Sequence, residues 1–102
     1  MHPIIERHHR TLTELCVRHR VRRLELFGSA ATDVSDAEVG DFDFLVEFLP
    51  AAPDEHSRSY FGLLFDLEDA LKHPIDLIET PAITNPYFLR DIEGDRHVLY
   101  AA

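Results

Sequence analysis

Asp41-Phe42-Asp43-Phe44-Leu45-Val46-Glu47-Phe48-Leu49 alternates with a period of two. Phe42, Phe44, Val46 and Phe48 fall on one side of an extended chain, and Asp41, Asp43, Leu45 and Glu47 on the other. A strand over Asp41–Leu49 therefore buries four large apolar side chains and brings two aspartates together on the opposite face. Upstream, Arg22–Phe27 reads as a second strand, with Leu24 and Leu26 opposed to Arg23 and Glu25, closed by Gly28-Ser29. Downstream, Pro50-Ala51-Ala52-Pro53-Asp54 breaks the chain. Ser57 is then the expected cap of a helix to about Lys72, its core stripe made of Tyr60, Phe61, Leu64, Phe65, Leu67 and Leu71. His73-Pro74 stops it, and Ile75–Glu79 forms a further strand.

The ends complete the pattern. Ile4, Ile5, His8, Leu12, Leu15, Cys16 and His19 recur every three to four residues, which predicts a helix over 4–19. Ala30–Asp33 reads as a short helical turn and Val34–Gly40 as an acidic loop. Asn85-Pro86 reads as a cap followed by proline at the first helical position, opening a short helix to about Glu93 that Gly94 ends. His97–Tyr100 fits an edge strand or a last turn. The alternation of helix and strand predicts an α/β fold: a small mixed sheet of three or four strands with helices on one face. A chain of 102 residues is expected to form a single domain over 1–102.

Composition excludes several classes. The longest apolar runs are only a few residues, against roughly 20 for a bilayer span, and Met1-His2-Pro3-Ile4-Ile5-Glu6 lacks the basic stretch and apolar segment expected of a signal peptide. Cys16, the one cysteine, cannot form an internal disulfide, which points to a reducing, cytoplasmic setting. The net charge is −9, but residues 1–23 carry six arginines against two glutamates. The acidic remainder repels phosphate and opposes direct DNA binding, while the basic first segment reads as a solvated helix face able to meet an acidic partner. The seven histidines lack zinc spacing with Cys16, no Ser-His-Asp pattern supports a hydrolase, and the acidic loop lacks the glycine and closing glutamate of an EF-hand.

Asp41 and Asp43 are open to two readings: solvated acids on a one-sided sheet, or a pair that shares a divalent cation. Two unpaired carboxylates this close repel, and hard Mg²⁺, which takes carboxylates together with substrate phosphates, resolves the conflict. Asp76, alone among Ile75, Leu77 and Ile78, can join them if its strand lies beside theirs. Gly28-Ser29, one loop earlier, permits close backbone approach to a ligand and a hydroxyl contact to phosphate.

Leu26-Phe27-Gly28-Ser29-Ala30-Ala31, followed by Gly40-Asp41-Phe42-Asp43-Phe44-Leu45-Val46 and by Pro74-Ile75-Asp76-Leu77-Ile78, resembles the signature of the DNA polymerase β-like nucleotidyltransferases, and specifically the minimal nucleotidyltransferase (MNT) antitoxins. The likeness covers roughly residues 10–100. It implies that Asp41, Asp43 and Asp76 hold two Mg²⁺ ions, that Gly28 and Ser29 grip the triphosphate of ATP, and that Asp76 helps deprotonate an acceptor hydroxyl. It also implies a partner, a HEPN toxin (a helical ribonuclease), neutralised by transfer of AMP to a toxin tyrosine. The chain departs from the pattern in three ways: eleven residues, 30–40, separate Ser29 from Asp41; no arginine follows the Gly-Ser pair; and the loop carries Asp33, Asp36 and Glu38. These departures predict ATP binding that is weak without the partner. Two other functions compete: a module with a degenerate site that blocks a toxin sterically, and an antibiotic-modifying transferase, which needs more chain to enclose its substrate. The chain as a homo-oligomer is compatible with all of them.

Overall fold

The computed structural model describes residues 3–28, 41–80 and 96–102. Helices α1 (Pro3–Arg7) and α2 (His9–Arg18) lead into strand β1 (Val21–Phe27); then come β2 (Phe42–Phe48), helix α3 (Pro53–Leu71), β3 (Ile75–Glu79) and β4 (His97–Ala101). The four strands form one sheet in the order β3-β2-β1-β4. β1 runs antiparallel to β2 and to β4, whereas β3 is parallel to β2. A parallel neighbour requires a crossover, and α3 supplies it. The sheet is therefore mixed, as the alternation of elements predicts. The expected turn at Ala30–Asp33, the loop to Gly40 and the helix from Asn85 to Glu93 lie outside the described residues.

One face of the sheet carries the core. Leu24, Leu26, Phe42, Phe44, Val46, Phe48 and Leu77 pack against Leu12, Leu15 and Cys16 of α2 and against Leu63, Leu67 and Leu71 of α3. Each such side chain contributes about 1.5–3 kcal/mol by leaving water. A bulge between Leu24 and Glu25 shifts the β1–β4 register, so that buried Leu99 and half-buried Tyr100 both reach this core. The helix expected over 4–19 is interrupted at His8, whose ring Nδ1–H donates to the Ile4 carbonyl at 2.9 Å. The backbone ladder nevertheless continues through it, from His8 N to Ile4 O and from Leu12 N to His8 O.

Two expectations need correction. Helix α3 begins at Pro53, four residues before Ser57, with Ala52 at its N-cap. Pro53 opens the helix instead of breaking the chain: its missing N–H is one the first turn leaves unpaired anyway, and Asp54 and Glu55 favour the positive end of the helix dipole. The α3 core stripe is also rotated: Leu63, Leu67 and Leu71 are buried, while Phe61 and Phe65 are 52% and 61% exposed. On the second face of the sheet Glu25, Phe27 and Leu45 are buried.

Candidate active site

β2 and β3 start at the same end of the sheet, and their register sets Asp43 directly beside Asp76. Paired residues on neighbouring parallel strands point to the same face. Asp41 sits one residue before β2, next to the Phe42 N–H that donates to the Pro74 carbonyl at 3.1 Å. Asp41 and Asp76 are exposed and Asp43 is half-buried. Burial pushes the Asp43 carboxyl above its ordinary range, and the charges of Asp76 and Asp41 push it further. Asp43 thus feels the charges of both other acids at one sheet end.

On the other side of Asp43 stands Gly28, at the end of β1 where Phe27 pairs with Asp43. Its φ of +77° is a conformation that other residues rarely adopt, and a Cβ there would lie 2.6 Å from Asp43 Oδ2. Glycine is needed here for two reasons at once: the backbone turns sharply, and it presses against a carboxylate. Ser29, the expected phosphate contact, lies outside the described residues.

Among the described residues no three His, Cys, Asp or Glu side chains are arranged to hold a metal ion by themselves. The acids are neighbours without forming a closed cage. That arrangement fits Mg²⁺, which binds one or two carboxylates and completes its shell with water and substrate phosphates. An all-protein cage is not what such an ion requires.

Glu25, which sequence reasoning did not single out, lies on the same face as Asp43. It is 3% exposed and accepts hydrogen bonds from Arg23 Nε at 2.6 Å and from Arg96 Nε and Nη2 at 2.6 and 2.9 Å. Burial works to raise its pKa, but the bonds from Arg96 and Arg23 prevail and lower it. The signal was available, since Glu25 is a lone acid within Leu24-Glu25-Leu26-Phe27, the same kind of anomaly as Asp76. Cys16 is buried in the core, which pushes its thiol up to about 12 and removes it as a nucleophile. Tyr60, whose hydroxyl donates to the Leu77 carbonyl at 2.6 Å, is likewise held in its neutral form by burial and by the charges of Glu79 and Asp76.

The fold itself has solved counterparts. A candidate minimal nucleotidyltransferase superposes with a TM-score of 0.69 at 23% identity, over 91% of this chain and 90% of that one. A chain in the complex of a tri-AMPylated Shewanella oneidensis HEPN toxin with MNT antitoxin superposes with a TM-score of 0.65 at 15% identity, over 95% of this chain and 72% of that one. The architecture is thus that of the minimal nucleotidyltransferases. Sequence carries the assignment further: residues 9–99 match the nucleotidyltransferase domain family. A Methanocaldococcus jannaschii protein, named as a candidate protein adenylyltransferase, is 36% identical over 92 residues, covering 90% of this chain and 87% of that protein. This chain belongs to the nucleotidyltransferase domain family, and it is a nucleotidyltransferase.

Proposed function

We propose that the chain is the antitoxin of a HEPN-type toxin, and that it transfers AMP from ATP to a tyrosine hydroxyl of that toxin. The observation that carries the reading is the register of Asp43 with Asp76, beside the close approach of Gly28 to Asp43. Acids aligned at one sheet end suit a reaction whose charge builds on phosphate oxygens, where positioning and electrostatics do most of the work. The adenylyltransferase name of the archaeal relative and the toxin-bound state of the Shewanella neighbour support the acceptor class.

In the proposed reaction the tyrosine oxygen attacks the α-phosphorus of ATP. The bond from that phosphorus to the bridging oxygen breaks, and pyrophosphate leaves with the electron pair. Asp41, Asp43 and Asp76 are the residues that would hold Mg²⁺, and the ion would supply charge neutralisation on the triphosphate and easier loss of the hydroxyl proton. Asp76, exposed in β3, would receive that proton. A phenol suits the step, because its pKa near 10 makes it a better proton donor than an aliphatic alcohol. Gly28 sets the backbone against Asp43, and Gly28 and Ser29 would grip the triphosphate.

Calorimetric titration of the chain with ATP tests the nucleotide site. The reading expects weak binding that needs Mg²⁺ and disappears in Asp41→Asn/Asp43→Asn. Equal binding by that variant places the nucleotide elsewhere.

A further inference from the structure

The outward face of α3 carries a stripe that matches itself. Asp54, Arg58, Phe61, Phe65 and Glu68 follow one another at alternating intervals of four and three residues, the spacing of a helix–helix seam, and Lys72, the left-handed C-cap of α3, continues the count. All six are exposed. The core lies on the other side of the helix, on Leu63, Leu67 and Leu71, and the side toward α2 is occupied by Asp66 and Gly62. His19 Nε2–H donates to Asp66 at 2.6 Å, and its ring lies against Gly62. The stripe therefore stands apart from the core of the described residues. Yet Phe61 and Phe65 stack with ring centroids 6.3 Å apart, and Tyr60 meets Phe61 edge-on at 5.1 Å. An exposed aromatic pair of this kind offers apolar area to a partner surface.

The flanking charges identify what covers it. About a twofold axis at the level of Leu63, two antiparallel copies of α3 place Phe61 against Phe65 of the second copy. The same axis places Arg58 against Glu68 and Asp54 against Lys72, opposite charges in both cases. A parallel arrangement sets every charge against its own kind. Within one chain Arg58 engages Asp54 at 3.0 Å and Lys72 engages Asp69 at 3.2 Å, pairs that an antiparallel second copy would extend across the seam. We infer that α3 is a homodimerisation surface, and that the chain pairs with a second copy of itself through an antiparallel α3–α3 contact. Two phenylalanines per copy on a helix about 28 Å long make a small interface, so the dimer forms reversibly as concentration rises. The inference does not depend on the transfer reaction, because the site acids lie on the other face of the sheet.

Sedimentation equilibrium of the purified chain over a range of concentrations tests it. Wild type is expected to dimerise, and Phe61→Ser/Phe65→Ser to self-associate at least about tenfold more weakly with an unchanged circular dichroism spectrum. The charges give a sharper test. Arg58→Glu alone and Glu68→Arg alone each set like charges face to face and weaken the dimer, whereas mixing the two variants restores both opposite pairs and restores dimerisation. A wild-type chain that stays monomeric throughout overturns the inference. So does a dimer that is indifferent to these four changes, or a mixture no more associated than its components. A monomer in which the phenylalanine changes abolish binding to a HEPN-type protein instead assigns the surface to that partner and equally overturns it.

Discussion

Asp43 is held at a cost that the folded chain alone does not recover. Burial and two neighbouring carboxylates raise its pKa, so the native state binds this proton more tightly than the unfolded chain does. Its contribution to stability is complete below the unfolded value, near 3.8, and is lost as pH rises through the higher folded value. At neutral pH and without metal, Asp43→Asn is therefore expected to unfold at the same temperature as wild type or at a higher one. Added Mg²⁺ and ATP should raise the wild-type midpoint only. A clearly lower midpoint for the variant shows that the carboxylate has a structural partner instead. Gly28→Ala tests the same contact from the other side. The positive φ costs about 1 kcal/mol for alanine, and the new methyl displaces the Asp43 carboxylate, whose tip can swing away. Urea unfolding should thus show a small loss and nucleotide binding a large one.

At the scale of elements, the sheet was legible wherever alternation was strict. Phe42 to Phe48 and Ile75 to Glu79 emerge where their patterns place them, and the lone acid in the latter lands beside Asp43. The long helix was legible in kind but not in phase. Tyr60, Phe61, Leu64, Phe65, Leu67 and Leu71 satisfy a three-to-four period as well as Leu63, Leu67 and Leu71 do, because this helix is apolar on more than one side. Only packing against β3 and α2 selects the buried stripe. Its beginning was misplaced because proline both breaks helices and opens them, and the acids that follow it decide between the two. The phase has a measurable consequence: Leu67→Ala should cost about 2–5 kcal/mol, and Phe65→Ala should stay within about 0.5 kcal/mol by chemical denaturation.

Glu25 was missed for a different reason. A charge inside a strand reads as solvent-facing until the partner that buries it is known, and Arg96 lies 71 residues away. The pair ties β4 to β1 on the face that carries the acids. Removing the arginine leaves a buried charge without its bidentate partner, so Arg96→Ala is expected to destabilise the fold by about 2–4 kcal/mol. The lowered pKa of Glu25 gives the pH signature: its stabilisation is present above the ordinary value of 4.5 and is lost as pH falls through the folded value. Acid unfolding of wild type and variant should converge there.

For the molecule as a whole, the fold and the family are those of a nucleotidyltransferase, and the central claim concerns what receives the nucleotide. The acidic balance of the chain, −9 overall, suits a basic protein surface as acceptor better than a nucleic acid. Arg7 and Arg10 of the basic first segment are exposed and able to meet an acidic partner surface. The most direct measurement incubates the chain with the proposed HEPN-type partner, ATP and Mg²⁺, and weighs that partner by intact-protein mass spectrometry. The account predicts that the partner gains one or more AMP units on tyrosine, and that the gain vanishes with Asp43→Asn. A partner that stays unmodified yet is silenced equally by wild type and Asp43→Asn would contradict it and leave a chain that acts by binding alone.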